Sequence, residues 1–271
     1  MAIALIMVAG GAAAGLFGSL LGLGGGILIV PLLTLGFDIP LREAVGVSLV
    51  CVIMTSSASA GVYLERHVAN LRLGMTLELF TAAGALIGGL VAFSLDERWV
   101  AALFALLLVY TGVSMLRRGK PAPPLPSRAD GADDGPSTFT ERLSGPDYRV
   151  HRLGIGAFGS VGAGVVSALL GIGGGVVKVP LMHLGLGVPL RVATATSNLM
   201  IGITAAAGAI IYLARGGIDP YVAGPTAVGV FIGASVGSRI AHRIDLRVLR
   251  VLFVVVLAYT AFQLFRRALG L

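Results

Sequence analysis

Cysteine is nearly absent from this chain. A single thiol, Cys51, in 271 residues excludes an intrachain disulfide and a cysteine-ligated metal cluster. Charge is scarce too: 12% of residues are Asp, Glu, Lys or Arg, about half the usual fraction of a soluble domain. No pair of histidines stands at metal-binding spacing, no GxGxxG fingerprint with a following acidic residue is present, and no ATP-binding domain is evident. These absences argue against metalloenzymes, nucleotide cofactors and an ATP-driven pump, and no cofactor is expected.

Apolar residues make up 56% of the chain and mean hydropathy is +0.94. Apolar runs of roughly 18 residues or more recur, each long enough to span a bilayer. The net charge of +7 does not indicate nucleic acid, because Arg and Lys flank these runs rather than gathering into one basic surface. The opening MAIALIMVAGG lacks a charged n-region, so no cleaved targeting segment is expected. The 40 glycines suit close helix packing in a bilayer and backbone breaks facing a cavity. Cys51 lies within an apolar run and reads as a small packing residue.

The chain repeats itself. Residues 18–49, GSLLGLGGGILIVPLLTLGFDIPLREAVGVSL, align without gaps on residues 167–198, SALLGIGGGVVKVPLMHLGLGVPLRVATATSN, at an offset of 149. The same offset carries Thr55 onto Thr204, Tyr63 onto Tyr212, Arg66 onto Arg215, Gly84 onto Gly233, Asp96 onto Asp245 and Arg117 onto Arg266. The expected organisation is therefore a first membrane repeat over 1–118, a flexible linker over 119–149 rich in Pro, Gly, Ser and charge, and a second membrane repeat over 150–271.

Each repeat holds four apolar blocks: 2–36, 43–64, 73–95 and 99–116, then 152–185, 192–213, 222–243 and 248–265. The first block of each is too long for one simple crossing and is interrupted by glycines, Gly24–Gly26 and Gly173–Gly175. If that block turns back at the glycines, the halves are inverted. Arg66, Arg72, the basic residues around the linker, Arg191, Arg239, Arg243, Arg247 and Arg250 then share one side. Arg42, Arg98, Arg215, Arg266 and Arg267 face the other. A second crossing would make the halves parallel and the split more even. The positive-inside bias favours inversion, with a cytoplasmic linker and both termini outside the cytoplasmic (inner) membrane. The predicted fold class is all-α, integral and multi-pass, with two inverted repeats each opening on a glycine-broken, re-entrant helix. Inverted repeats with broken helices at the midplane are a recurring transporter plan, in which rocking between the two halves gives alternating access.

The motif LLGxGGGxxxVPxL, from Leu20 through Pro31 and again from Leu169 through Pro180, with the follow-on PLRxA at Pro40–Ala44 and Pro189–Ala193, resembles the sulfite exporter TauE/SafE family. Ala195-Thr196-Ser197-Asn198 is similar to the family as well, whereas the first half has Ser48-Leu49 in place of Ser197-Asn198. The resemblance covers the chain apart from the linker. It implies export or uptake of sulfite or an organosulfonate, and leaves the substrate and the direction open.

The residues themselves suggest where an anion would rest. Gly24, Gly25, Gly26 and their counterparts Gly173, Gly174, Gly175 would each expose the N–H groups of a half-helix, which attract negative charge. The competing reading is a kink that serves close packing alone. Lys178 stands inside an apolar run where charge is costly without a partner or cavity, and its counterpart is Ile29. It is expected to contact an anion, the alternative being a side chain that snorkels to the interface. Ser48, Thr194, Ser197 and Asn198 would supply hydroxyl and amide contacts, with Thr204 sharing a face with Thr194 and Ser197; interhelical bonding is the rival role. Glu78 reads as an acid stabilising the first turn of its helix, with proton transfer as the alternative, and His183 reads as interfacial. The function expected is secondary transport of a small anion, with the bilayer as the other partner. A passive anion channel and a non-transporting scaffold are the alternatives, and no enzyme activity is expected.

Overall fold

The computed structural model describes residues 2–21, 24–65, 69–117, 143–144, 148, 150–240 and 246–269. In chain order the helices are α1 (Ala2–Leu21), α2 (Gly26–Gly36), α3 (Leu41–Glu65), α4 (Leu71–Ser94) and α5 (Glu97–Arg117). They continue as α6 (Leu153–Leu170), α7 (Gly175–Pro180), α8 (Leu190–Ala214), α9 (Pro220–Ile240) and α10 (Leu246–Leu269). A π-helical segment, Leu181–Gly185, prolongs α7. Seven of the helices are long and apolar enough to cross a membrane: α1, α3, α4, α5, α6, α8 and α9. Large apolar side chains stand fully outward on them, Leu79 at 75% exposure and Phe158 at 83%, as a lipid-facing surface requires.

The first apolar block of each half is two helices rather than one. The chain leaves α1 and enters α2 through Gly24 and Gly25 at φ 77° and 74°, and leaves α6 for α7 through Gly173 and Gly174 at φ 78° and 79°. Only glycine adopts this left-handed backbone without steric cost, so the glycine run is what lets the chain fold back. Fold back it does. Gly18 of α1 lies against Gly25, and a Cβ at Gly10 would stand 3.0 Å from Leu32 Cδ2. In the second half Gly159 faces Leu181 and Gly156 faces Leu186. The His151 N–H donates to Leu186 O at 3.1 Å, so the second hairpin ends beside its own entry.

The two hairpins open at opposite ends of α4. At its C-terminal end, the Leu41 N–H after α2 donates to Glu97 Oε1 (2.6 Å) and Arg42 Nη2 donates to Leu95 O (2.9 Å). At its N-terminal end, the Asn70 N–H donates to Thr196 Oγ1 near the start of α8 (2.9 Å). Helix pairs crossing between the halves are packed backbone to backbone. Gly15 of α1 meets the Val230 carbonyl and Gly233 meets that of Ala12; Gly164 of α6 meets the Thr81 carbonyl and Gly84 meets that of Val161. Any side chain at these glycines would collide with main chain, so glycine sets the α1–α9 and α4–α6 spacing.

Most of 119–149 lies outside the described residues. Its end is not free chain: Leu143 is buried among Leu73, Leu77 and Met182, and Asn70 Nδ2 donates to both Leu143 O and Tyr148 Oη at 2.7 Å. Partial burial raises the Tyr148 phenol pKa, an effect the Asn70 hydrogen bond opposes.

Candidate functional site

The two glycine turns meet each other midway along α3 and α8. A Cβ on Gly26 would strike the Gly171 carbonyl and come within 3.0 Å of Ile172 Cα. Gly24, Gly173 and Gly175 all abut Ile201, and Gly25 faces Thr55. The structure thus brings Gly24, Gly26, Gly173 and Gly175 into one central contact, with Gly25 against Thr55 and Gly174 against Ser167 and Lys178 at its edges.

Ser48 ties this contact together. Its Oγ lies 2.7 Å from Gly171 O and 3.3 Å from Gly26 O, so its single hydrogen is held by the main chain of both hairpins. Thr194 points elsewhere. Its hydroxyl donates to Leu190 O one turn back (2.8 Å), and it stands about 15 Å of helix rise from Thr204. Thr196 is the buried threonine of that turn, occupied by the Asn70 N–H. Asn198 is buried and accepts from Ser56 Oγ through its backbone carbonyl (2.7 Å). Ser197 Oγ is buried beside Gly175 with no partner.

Lys178 does not reach an interface. It is 1% exposed and its Nζ forms a 3.0 Å ion pair with Glu78 Oε2. Thr204 completes the cluster: Lys178 Nζ donates to its hydroxyl, which in turn donates to Glu78 Oε1 at 2.5 Å. Thr81 Oγ1 donates to Glu78 Oε2 at 3.0 Å. Glu78 is therefore no first-turn acid. Helix α4 begins at Leu71 and is capped by the Asn70 side chain, which accepts from the Leu73 N–H, so Glu78 lies two turns in. It is the group that makes a buried Lys178 tenable, since an isolated charge at this depth would be strongly unfavourable. Thr204 is about 21 Å along α8, near mid-span.

Ser167 joins the site without a signal in the repeat, because its counterpart is Gly18. Its Cβ and Lys178 Cε flank Gly174, and its hydroxyl, like that of Ser197, is buried with no partner. His183 belongs to the hairpin's return, donating from Nδ1 to Val188 O at 2.9 Å. Among the described residues no group of three or more His, Cys, Asp or Glu could hold a metal ion.

This arrangement is neutral overall and polar at one point: a buried ion pair, with two unsatisfied hydroxyls, Ser167 and Ser197, at the neighbouring glycine turn. Buried polar atoms are rarely left unpaired without a reason. The comparisons with known proteins concern the chain as a whole. The family described as Sulfite exporter TauE/SafE matches residues 7–264. The chain is 27% identical over 266 residues to the probable membrane transporter protein YunE of Bacillus subtilis (strain 168), covering 96% of each. It is 26% identical over 253 residues to the probable membrane transporter protein MJ0441 of Methanocaldococcus jannaschii, covering 88% of this chain and 86% of the relative. No solved structure matches significantly. With the match running from α1 to α10 and seven helices of spanning length between them, the chain belongs to the sulfite exporter TauE/SafE family of multi-pass membrane transporters.

Proposed function

We propose that the protein is a secondary transporter of a small oxyanion, sulfite or an organosulfonate, working by alternating access across the cytoplasmic membrane. The observation that carries this reading is the buried Lys178, with the unpartnered hydroxyls of Ser167 and Ser197 at the glycine turn, Gly174 and Gly175, that leads into its helix. A sulfur oxyanion offers acceptor oxygens to just such donors. The cation's counter-charge, Glu78, comes from another helix, so an anion can compete for Lys178 without dismantling its own segment.

The halves are read as inverted. Support comes from the hairpins that open at opposite ends of α4. The end where α4, α6 and α8 begin and α9 finishes carries Arg72, Arg152, Arg191 and Arg239 and adjoins the basic residues of the linker, whereas Arg42, Arg98, Arg215, Arg266 and Arg267 belong to the other. The positive-inside rule then assigns the first end, with the 119–149 linker, to the cytoplasm and both termini to the outside.

Counterflow in proteoliposomes tests the function. Sulfite and methanesulfonate are expected to exchange saturably, and Ser197→Ala to raise the half-saturating concentration several-fold. Rapid ohmic conductance would make the protein a channel. Absence of exchange with either anion would remove the anion reading.

A further inference from the structure

Among the described residues, the elements packed against the ion pair bring no further charge to it. Helix α4 packs on α6, which bears no ionisable side chain, and on α8, whose Arg191 and Tyr212 lie toward opposite ends. On α4 itself Arg72 is exposed, and His183 is engaged with Val188 O. Glu78 and Lys178 thus answer to each other, and the pair carries no net charge.

An anion that takes Lys178 leaves Glu78 alone. A carboxylate left buried without its counter-charge is costly, and a proton arriving with the anion would restore neutrality. The surroundings accommodate that form. Thr204 Oγ1 can turn its hydrogen from Glu78 to Met200 O, 3.2 Å away, and accept from the new carboxylic acid. Thr81 has the same choice, with Leu77 O at 3.0 Å and Glu78 O at 3.1 Å. Both hydroxyls can serve either protonation state without being orphaned. Ser167 and Ser197 have hydrogens to spare for the arriving oxygens.

We propose that Glu78 is a proton-binding site coupled to the anion site at Lys178, so that one monovalent oxyanion crosses with one proton and no net charge moves. The balance is explicit: anion plus proton plus the Glu78 carboxylate–Lys178 ammonium pair becomes the Glu78 carboxylic acid and a Lys178 ammonium–anion pair. Both the empty and the loaded centre are neutral, so both can change their access without carrying charge through a medium of low dielectric. A dianion would leave one charge uncompensated. The class selected is therefore monoanionic, hydrogensulfite or an alkyl sulfonate, over sulfate or fully ionised sulfite. This inference rests on the anion-transport reading above.

The test uses the intact chain in proteoliposomes with methanesulfonate as probe, a pH-sensitive dye inside, and the potential clamped with potassium and valinomycin. Uptake is expected to follow an inside-alkaline gradient, to acidify the lumen by one proton per anion, and to be unchanged by the clamped potential. Glu78→Gln leaves the empty centre cationic, so its anion movement should lose the pH drive and become sensitive to potential. Wild-type uptake that follows the potential, or anion entry with no proton, overturns the coupling while leaving anion transport standing. A Glu78→Gln protein that still accumulates methanesulfonate on a pH gradient overturns it as well. Failure of methanesulfonate and sulfite to exchange in wild type overturns the transport reading and this one together. Because the wild-type measurement needs no variant, a misfolded Glu78→Gln protein does not weaken the test.

Discussion

Thr55 and Thr204 occupy the same place in the two halves, and their surroundings have little else in common. Around Thr204 stand Lys178, Glu78 and Thr81, joined in one buried cluster. The corresponding positions around Thr55 are Ile29, Ala227 and Val230, and the Thr55 hydroxyl donates to Cys51 O one turn back at 3.0 Å. One half-site is ionic and the other apolar, on a common helical frame. The repeat supplies the frame, and the chemistry sits where the repeat is broken.

The largest effect should come from breaking the ionic half-site one charge at a time. Lys178→Met or Glu78→Met leaves the other charge buried and unpaired, at a cost of about 3–5 kcal/mol. The double variant should recover most of that stability while failing to transport. Thermal melting in detergent decides this, and equal melting of single and double variants would contradict the pairing. Next in size is the pair of threonines. Thr204→Val removes a hydroxyl bonded to charged partners and should cost about 1.5–3 kcal/mol and most of the transport rate, against about 1 kcal/mol or less for Thr55→Val. Smallest is the contrast between Ser48 and Ser197. Ser48→Ala should cost on the order of 1 kcal/mol by freeing the hairpin carbonyls. Ser197→Ala should leave the melting temperature level or slightly raised, since it removes an unsatisfied group, and should change the half-saturating concentration instead.

Much of the frame was legible from the residues. The 149-residue offset places α2 at Gly26–Gly36 against Gly175–Gly185, and α3 at Leu41–Glu65 against Leu190–Ala214. Glycine runs and apolar block lengths dictate such elements locally. The partnership of Glu78 with Lys178 was harder to read, because it spans a hundred residues and neither residue has a charged counterpart in the other half. Placing the start of the third block at 73 made Glu78 look like an acid at a helix entrance; the Asn70 cap sets that entrance earlier. Hydroxyls were ambiguous for a different reason. Ser48, Thr194 and Ser197 share a polar character in the sequence, and only three-dimensional neighbours separate a staple, a self-satisfied turn and an unpartnered donor. Ser167 had no repeat partner to draw attention to it.

The glycine contacts between α1 and α9 and between α4 and α6 bear on how such a molecule can move. Each of these pairs borrows one helix from either half, and each is laced main chain to main chain at several successive glycines. A seam of that kind resists sliding, because any shift of a fraction of a turn drives a carbonyl into a neighbouring backbone. A motion that divided the molecule into its two sequence halves would have to shear both seams. The stiff units by this measure are the cross-half pairs, α1 with α9 and α4 with α6, and the left-handed glycine corners at residues 24–25 and 173–174 join the arms of the hairpins. A swing about those corners would carry Lys178 with its hairpin while Glu78 stayed with its laced partner, so it would stretch the bond between the two charges.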